Sequence, residues 1–134
     1  MSTGLLIVDH GSVRQEANAL LEEVAALLRR QRPGLIVRIA HMELAEPSIA
    51  QGFAACVKDG ATEVVVHPYM LSPGRHAIQD IPRLVAKAAE QHPEVKWRCT
   101  QPLGLHEKLG EVVLERAGLL LPHSSSETGV AREP

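Results

Sequence analysis

The chain has 134 residues, of which 45% are hydrophobic and 22% charged, and its formal net charge is -2. That balance suits a soluble single domain with one core and excludes a disordered, fibrous or membrane-spanning chain. Aromatic residues make up only 2%, so the core must come from Leu, Val, Ile and Ala, and stacking platforms for single-stranded nucleic acid are not expected.

Leu5-Leu6-Ile7-Val8 is a continuous apolar run, as expected of a strand covered on both faces in a parallel sheet, and it ends at Asp9-His10-Gly11. Ser12 stands three residues before Gln15, the spacing of a capping box. Val13, Ala17, Leu20, Leu21, Val24, Leu27 and Leu28 then follow at helical period until Pro33-Gly34. A second strand runs from Leu35 to about Glu43, and Pro47-Ser48 opens a second helix with Ile49, Phe53, Ala54 and Val57 on its apolar face. After Gly60, Val64-Val65-Val66 forms a third strand, and Pro68 to His76 reads as an unusually long connection, a length that is more often functional than not. Asp80 is placed to cap the third helix, with Pro82 in its first turn and Leu84, Val85, Ala88 and Ala89 on its inner face. Val95 to Cys99 is a fourth strand, and His106 to Ala117 a fourth helix after the turn at Pro102-Leu103-Gly104.

Four successive strand–helix units predict an α/β fold, a single lobe with a four-stranded parallel sheet and helices on both faces. Residues 1–121 are expected to form this domain and residues 122–134, polar and without periodicity, a disordered tail. Scattered basic residues give no broad attraction for nucleic acid or an anionic membrane, so any anionic ligand must be recognised locally. No apolar stretch nears the roughly 20 residues that span a bilayer, and Met1-Ser2-Thr3-Gly4 lacks a basic leader region, so a cytoplasmic location is expected. Cys56 and Cys99 show neither a CxxC spacing nor a disulfide framework and read as buried thiols.

Ligands of open parallel sheets bind at the carboxyl ends of the strands, which selects among the polar residues. His10 follows strand one, Glu43 closes strand two, His67 ends strand three with Arg75 and His76 in the loop beyond, and His106 follows strand four. His41 shares the side of Glu43 but lies deeper in the sheet. Neutral imidazoles at one rim suit iron, cobalt, nickel or zinc, with a carboxylate to complete the shell or take protons. Spacing alone leaves open that each histidine is merely a surface or hydrogen-bonded residue. Ser12 is better used as a helix cap than as a nucleophile: Asp9-His10-Gly11-Ser12 are adjacent, and no G-x-S-x-G elbow occurs. Neither GxxxxGK[ST] nor GxGxxG is present, so no bound ATP or dinucleotide is indicated.

Together, Val8-Asp9-His10-Gly11-Ser12, Glu43-Leu44-Ala45-Glu46-Pro47-Ser48-Ile49, Pro68-Tyr69-Met70-Leu71 with Gly74-Arg75-His76, Asp80-Ile81-Pro82 and Pro102-Leu103-Gly104 resemble the short form of the sirohydrochlorin chelatases. The resemblance spans about residues 4 to 118 and implies ATP-independent insertion of a divalent metal, cobalt or iron, into a tetrapyrrole of siroheme or cobalamin biosynthesis; two imidazoles and a carboxylate would accept nickel as well. It implies that His10 and His76 hold the incoming metal. Glu43 is the candidate acceptor of the pyrrole protons, and Gly11, Ser12, Gly74 and Arg75, with Arg14, are candidates for binding the substrate's carboxylates. Long family members carry two similar lobes around a cleft, so a one-lobe chain is expected to form a homodimer that supplies the second wall. A non-catalytic carrier of metal or tetrapyrrole would use the same pocket, and a hydrolase using Ser12 is the remaining alternative.

Overall fold

The computed structural model describes residues 2–72 and 74–122; the side chain of His76 and the tail expected over 122–134, from residue 123 on, lie outside that description. The elements are β1 (Thr3–Asp9), α1 (Gln15–Gln31), β2 (Ile36–His41), α2 (Ile49–Lys58), β3 (Glu63–Pro68), α3 (Arg75–Ala89), β4 (Lys96–Cys99) and α4 (Glu107–Ala117). The four strands form one sheet in the order β2-β1-β3-β4, with every neighbouring pair parallel. The chain divides into two compact units, Met1–Leu103 and Gly104–Pro134. The first holds the sheet and α1 to α3. The second holds α4, begun by His106, whose Nδ1 accepts from the Lys108 N–H, and ended by Gly118 in the left-handed region.

β1 is covered on both faces, which is why it reads as an unbroken apolar run. On one face Leu6 and Val8, with Val64 and Val66 of β3, pack against Ile49, Phe53 and Cys56 of α2 and Ala77, Ile81 and Val85 of α3. On the other, Ile7 with Val37 and Ile39 of β2 packs against Leu21 and Ala25 of α1. Burying Phe53, Leu6, Ile7 or Ile81 contributes about 1.5–3 kcal/mol each, enough to outweigh local preferences in the elements that carry them.

Three local expectations are corrected. α1 starts at Gln15 with Arg14 at the cap position and no side-chain cap, so Ser12 and Gln15 do not form a capping box; the box in this chain is Ser48 with Gln51 at the start of α2. The buried stripe of α1 is Leu21 and Ala25, flanked by Val24 and Leu28, whereas Val13, Leu20 and Leu27 are exposed, because a single sheet face covers only one narrow stripe of the helix. Asp80 is not a cap either. α3 begins earlier, after Gly74, so the connection from β3 is shorter than expected, His76 belongs to the first helical turn and Pro82 to the helix interior. Proline there leaves the Ile78 carbonyl without its helical partner. Ile78 is on the exposed side, where water can take that bond, while Ala77 and Ile81 are buried on the other.

Candidate functional site

α1 leaves β1 on one face of the sheet towards β2, and α3 leaves β3 on the opposite face towards β4. The gap between the carboxyl ends of β1 and β3 is therefore the switch point, the place where open parallel sheets bind ligands. His10 follows β1 and is exposed; His76 lies in the first turn of α3, after β3. The two residues thus stand on either side of the switch point. Glu43, also exposed, lies two residues past the end of β2 rather than in it.

His10 and Glu43 are brought together through their backbones. Beyond the last paired residues of β1 and β2, the Met42 N–H donates to the Asp9 carbonyl (2.9 Å) and the Glu43 N–H to the His10 carbonyl (3.1 Å). Gly11 makes this approach possible. Its φ is +91°, and a Cβ there would stand 1.8 Å from the Glu43 carbonyl oxygen and 3.1 Å from the His41 Cβ. Glycine is required here on both counts, conformation and space. In the same loop Leu44 adopts φ +72° with 64% of its surface exposed, a conformation that costs an L-residue about 1–2 kcal/mol.

Ser12 is engaged in its own loop through its hydroxyl oxygen, its N–H and its carbonyl. Its Oγ accepts from the Arg14 N–H (2.9 Å), its N–H donates to Asn18 Oδ1 (3.0 Å), and its carbonyl accepts from Asn18 Nδ2 (2.7 Å). The Ser12 N–H is thereby taken up inside the loop. Among the described residues no histidine hydrogen-bonds Ser12 Oγ, as a hydrolytic pair would require. Gly74 has no side chain to cap α3, and a Cβ there would meet nothing, so the N–H groups of the first turn have no side-chain acceptor at that cap; Arg75, beside it, is exposed. Arg14 is exposed and weakly paired with Glu16 at 3.9 Å.

Two histidines take up positions that the chain order alone leaves undefined. His41 is 1% exposed, and its Nδ1 bonds the Asp9 carboxylate at 2.6 Å. His67 Nδ1 is hydrogen-bonded to Thr100 Oγ1 (2.9 Å), which also lies 3.1 Å from the Gln101 carbonyl oxygen. Burial pushes the His67 imidazole below its ordinary value, against a smaller upward pull from the Gln101 backbone. Cys56 is buried as expected, whereas Cys99 is only half-buried; desolvation holds both thiols up, Cys56 to about 12.

A cleft of about 490 Å³ lies between the start of α1 and the loop after β2, bordered by Ser12, Gln15, His41, Leu44 and Glu46. A smaller one of about 190 Å³ lies under the start of α3, between Pro68, Ala77 and Pro102. Among the described residues, no three His, Cys, Asp or Glu side chains gather closely enough to hold a metal ion. No described helix is long and apolar enough to cross a membrane.

A parallel sheet of this order, with imidazole-bearing residues on both sides of its switch point, defines an α/β lobe of the kind that binds small ligands at its strand ends. The CbiX family model matches residues 4–118, and the chain belongs to the CbiX family. It is 48% identical over 120 residues to the chloroplastic sirohydrochlorin ferrochelatase of Arabidopsis thaliana, covering 90% of this chain and 53% of that protein. It is 30% identical over 122 residues to the sirohydrochlorin cobaltochelatase of Sulfurisphaera tokodaii, covering 91% of this chain and 97% of that one. Its fold matches the sirohydrochlorin chelatase SirB from Bacillus subtilis subspecies spizizenii in complex with cobalt with a TM-score of 0.80 at 32% identity, over 96% of this chain and 57% of that chain. The chain spans about half the length of several curated relatives that it matches.

Proposed function

We propose that this lobe inserts a divalent metal, cobalt or iron and also nickel, into sirohydrochlorin without a nucleotide. The observation that carries the reading is the position of His10 and His76 on the two sides of the β1/β3 switch point in a chain of the CbiX family. The names of the relatives support iron and cobalt as the metals offered.

His10 and His76, as neutral imidazoles, bind the incoming ion and strip part of its water, so that delivery to the macrocycle becomes effectively intramolecular. The ion then exchanges imidazole and water for four pyrrole nitrogens. Two N–H protons leave for each ion that enters, and Glu43, exposed and tied by its backbone to His10, accepts them one at a time and passes each to solvent. The first-turn N–H groups of α3 after Gly74, with the Arg75 guanidinium, bind the substrate's carboxylates. Gly11 serves by its lack of a side chain, which lets the His10 and Glu43 segments meet.

A flat macrocycle needs a wall on each of its faces to exclude water, and one lobe supplies a single wall. A second lobe is therefore needed as the opposite wall, and a second copy of this chain in an isologous dimer is the proposed source. The proposed compartment is the cytoplasm; the name of the Arabidopsis relative records a chloroplast location for that protein.

The test is anaerobic absorbance of sirohydrochlorin mixed with cobalt or ferrous ion and the protein, without ATP, for wild type, His10→Ala and His76→Ala. Metallation above the spontaneous rate in wild type and at background in both variants is the expected result. Tight binding of metal or tetrapyrrole with no added rate would instead make the protein a carrier.

A further inference from the structure

We infer that Asp9 and His41 form a positioning pair that sets where His10 and Glu43 stand, a role that rests on the reading of those two as the metal-binding and proton-accepting residues. His41 is the last residue of β2 and Asp9 the last of β1, directly paired across the ladder. Each is therefore one or two residues from a candidate site residue. Position 41 continues the row of Val37 and Ile39, both buried, where alternation along the strand calls for another apolar side chain. An imidazole at 1% exposure there is costly unless hydrogen-bonded, and it is bonded, at 2.6 Å, to a carboxylate that is itself 24% exposed. A carboxylate can only accept, so Nδ1 carries the proton and the ring orientation is set.

The pair is the side-chain part of a larger clamp. The His41 N–H donates to the Pro47 carbonyl (2.8 Å), which ties the end of β2 to the start of α2. Met42 and Glu43 bond the Asp9 and His10 carbonyls, and Gly11 passes directly over the His41 Cβ. Without the Nδ1 donor, nothing among the described side chains holds the Asp9 carboxylate. The strand end that carries His10 is then joined to the end of β2 by its backbone bonds alone, without the side-chain contact that steadies them. Partners bonded directly to a metal-binding side chain are typically worth ten- to a hundredfold in metal affinity or activity, and a pair that acts through the strand end is expected near the lower end of that range.

Two substitutions of His41 separate positioning from packing. His41→Asn keeps an N–H near the place of Nδ1, while His41→Gln moves its amide towards the place of Nε2; both remove the ring. Cobalt affinity is read from the visible absorption of the protein–cobalt complex, folding from thermal melting, and the His10 ring from its proton resonances in the metal-free protein. The expected result is a loss of cobalt affinity of about tenfold or more in His41→Gln and Asp9→Ala, with displaced His10 resonances, and a loss of no more than about threefold in His41→Asn and Asp9→Asn. Equal losses in His41→Asn and His41→Gln at equal melting temperature would overturn the pair, as would better retention by His41→Gln. If wild type binds no cobalt through His10, the chelatase reading falls, and the His10 resonances alone still decide whether the pair positions that ring.

Discussion

Replacing Gly11 by alanine gives the sharpest test of the site's architecture, because Gly34 supplies its own control. Both glycines have φ +91°, but a Cβ at Gly34 meets nothing within 4 Å, whereas one at Gly11 would stand 1.8 Å from the Glu43 carbonyl oxygen. A left-handed conformation costs an L-residue about 1–2 kcal/mol. Stiffening the unfolded chain returns about 0.4–1 kcal/mol of that. Gly34→Ala is therefore expected to lose about 1 kcal/mol or less. At Gly11 the obstacle is backbone, which no rotamer change relieves. Relief requires the segments to part, at the expense of the Glu43–His10 bond and the adjoining Met42–Asp9 bond, each worth about 1 kcal/mol. Gly11→Ala is expected to lose about 3 kcal/mol, so that its urea midpoint falls well below that of Gly34→Ala at an unchanged m-value. In the metallation assay Gly11→Ala should also slow turnover at temperatures where it remains folded, since the His10 and Glu43 segments have moved apart. Equal destabilisation of the two variants would refute the close approach and, with it, the account of how these residues are brought together.

Asn18→Ala removes both side-chain bonds to the Ser12 backbone, whereas Ser12→Ala removes only the exposed bond to the Arg14 N–H. Asn18→Ala is expected to lose about 1–2 kcal/mol in denaturant unfolding and Ser12→Ala less than about 1 kcal/mol, and the reverse order would show that Ser12 caps α1 after all. Because burial lowers the His67 pKa, the unfolded chain binds a proton at this residue before the folded one does. Its contribution is fully present above the ordinary value of 6.5 and is lost as pH falls from there through the lower folded value. Urea midpoints measured across that range should fall less steeply in His67→Asn than in wild type, and parallel curves would refute the burial of a neutral ring.

The elements were legible wherever burial imposes a period. The unbroken run Leu5 to Val8 announced a strand covered on both faces, and Ile49, Phe53 and Val57 marked the apolar face of α2. Helix starts were less legible, since a cap is a matter of one or two hydrogen bonds. Ser12 with Gln15 and Ser48 with Gln51 share the same spacing, but only the second forms the box. Asn18 had already engaged the Ser12 N–H and carbonyl from within the first turn of α1, and nothing in the local spacing reveals that. The start of α3 was read too late because Pro82 usually marks a first turn, while burial of Ala77 beside Ile81 extends the helix back to Arg75.

The chain alone places the candidate residues His10, Glu43, His67, Arg75, His76 and His106 at one rim, because a parallel sheet sends every strand-to-helix connection to the same end. Strand order and register do not follow from it. Only the tertiary structure decided that β1 lies between β2 and β3, so that His10 and His76 flank the switch point, and that Asp9 pairs with His41 across the ladder. The physical reason is that periodicity along a chain records which side of an element is covered, whereas which element covers it depends on contacts between residues far apart in sequence, such as the 2.6 Å bond between Asp9 and His41.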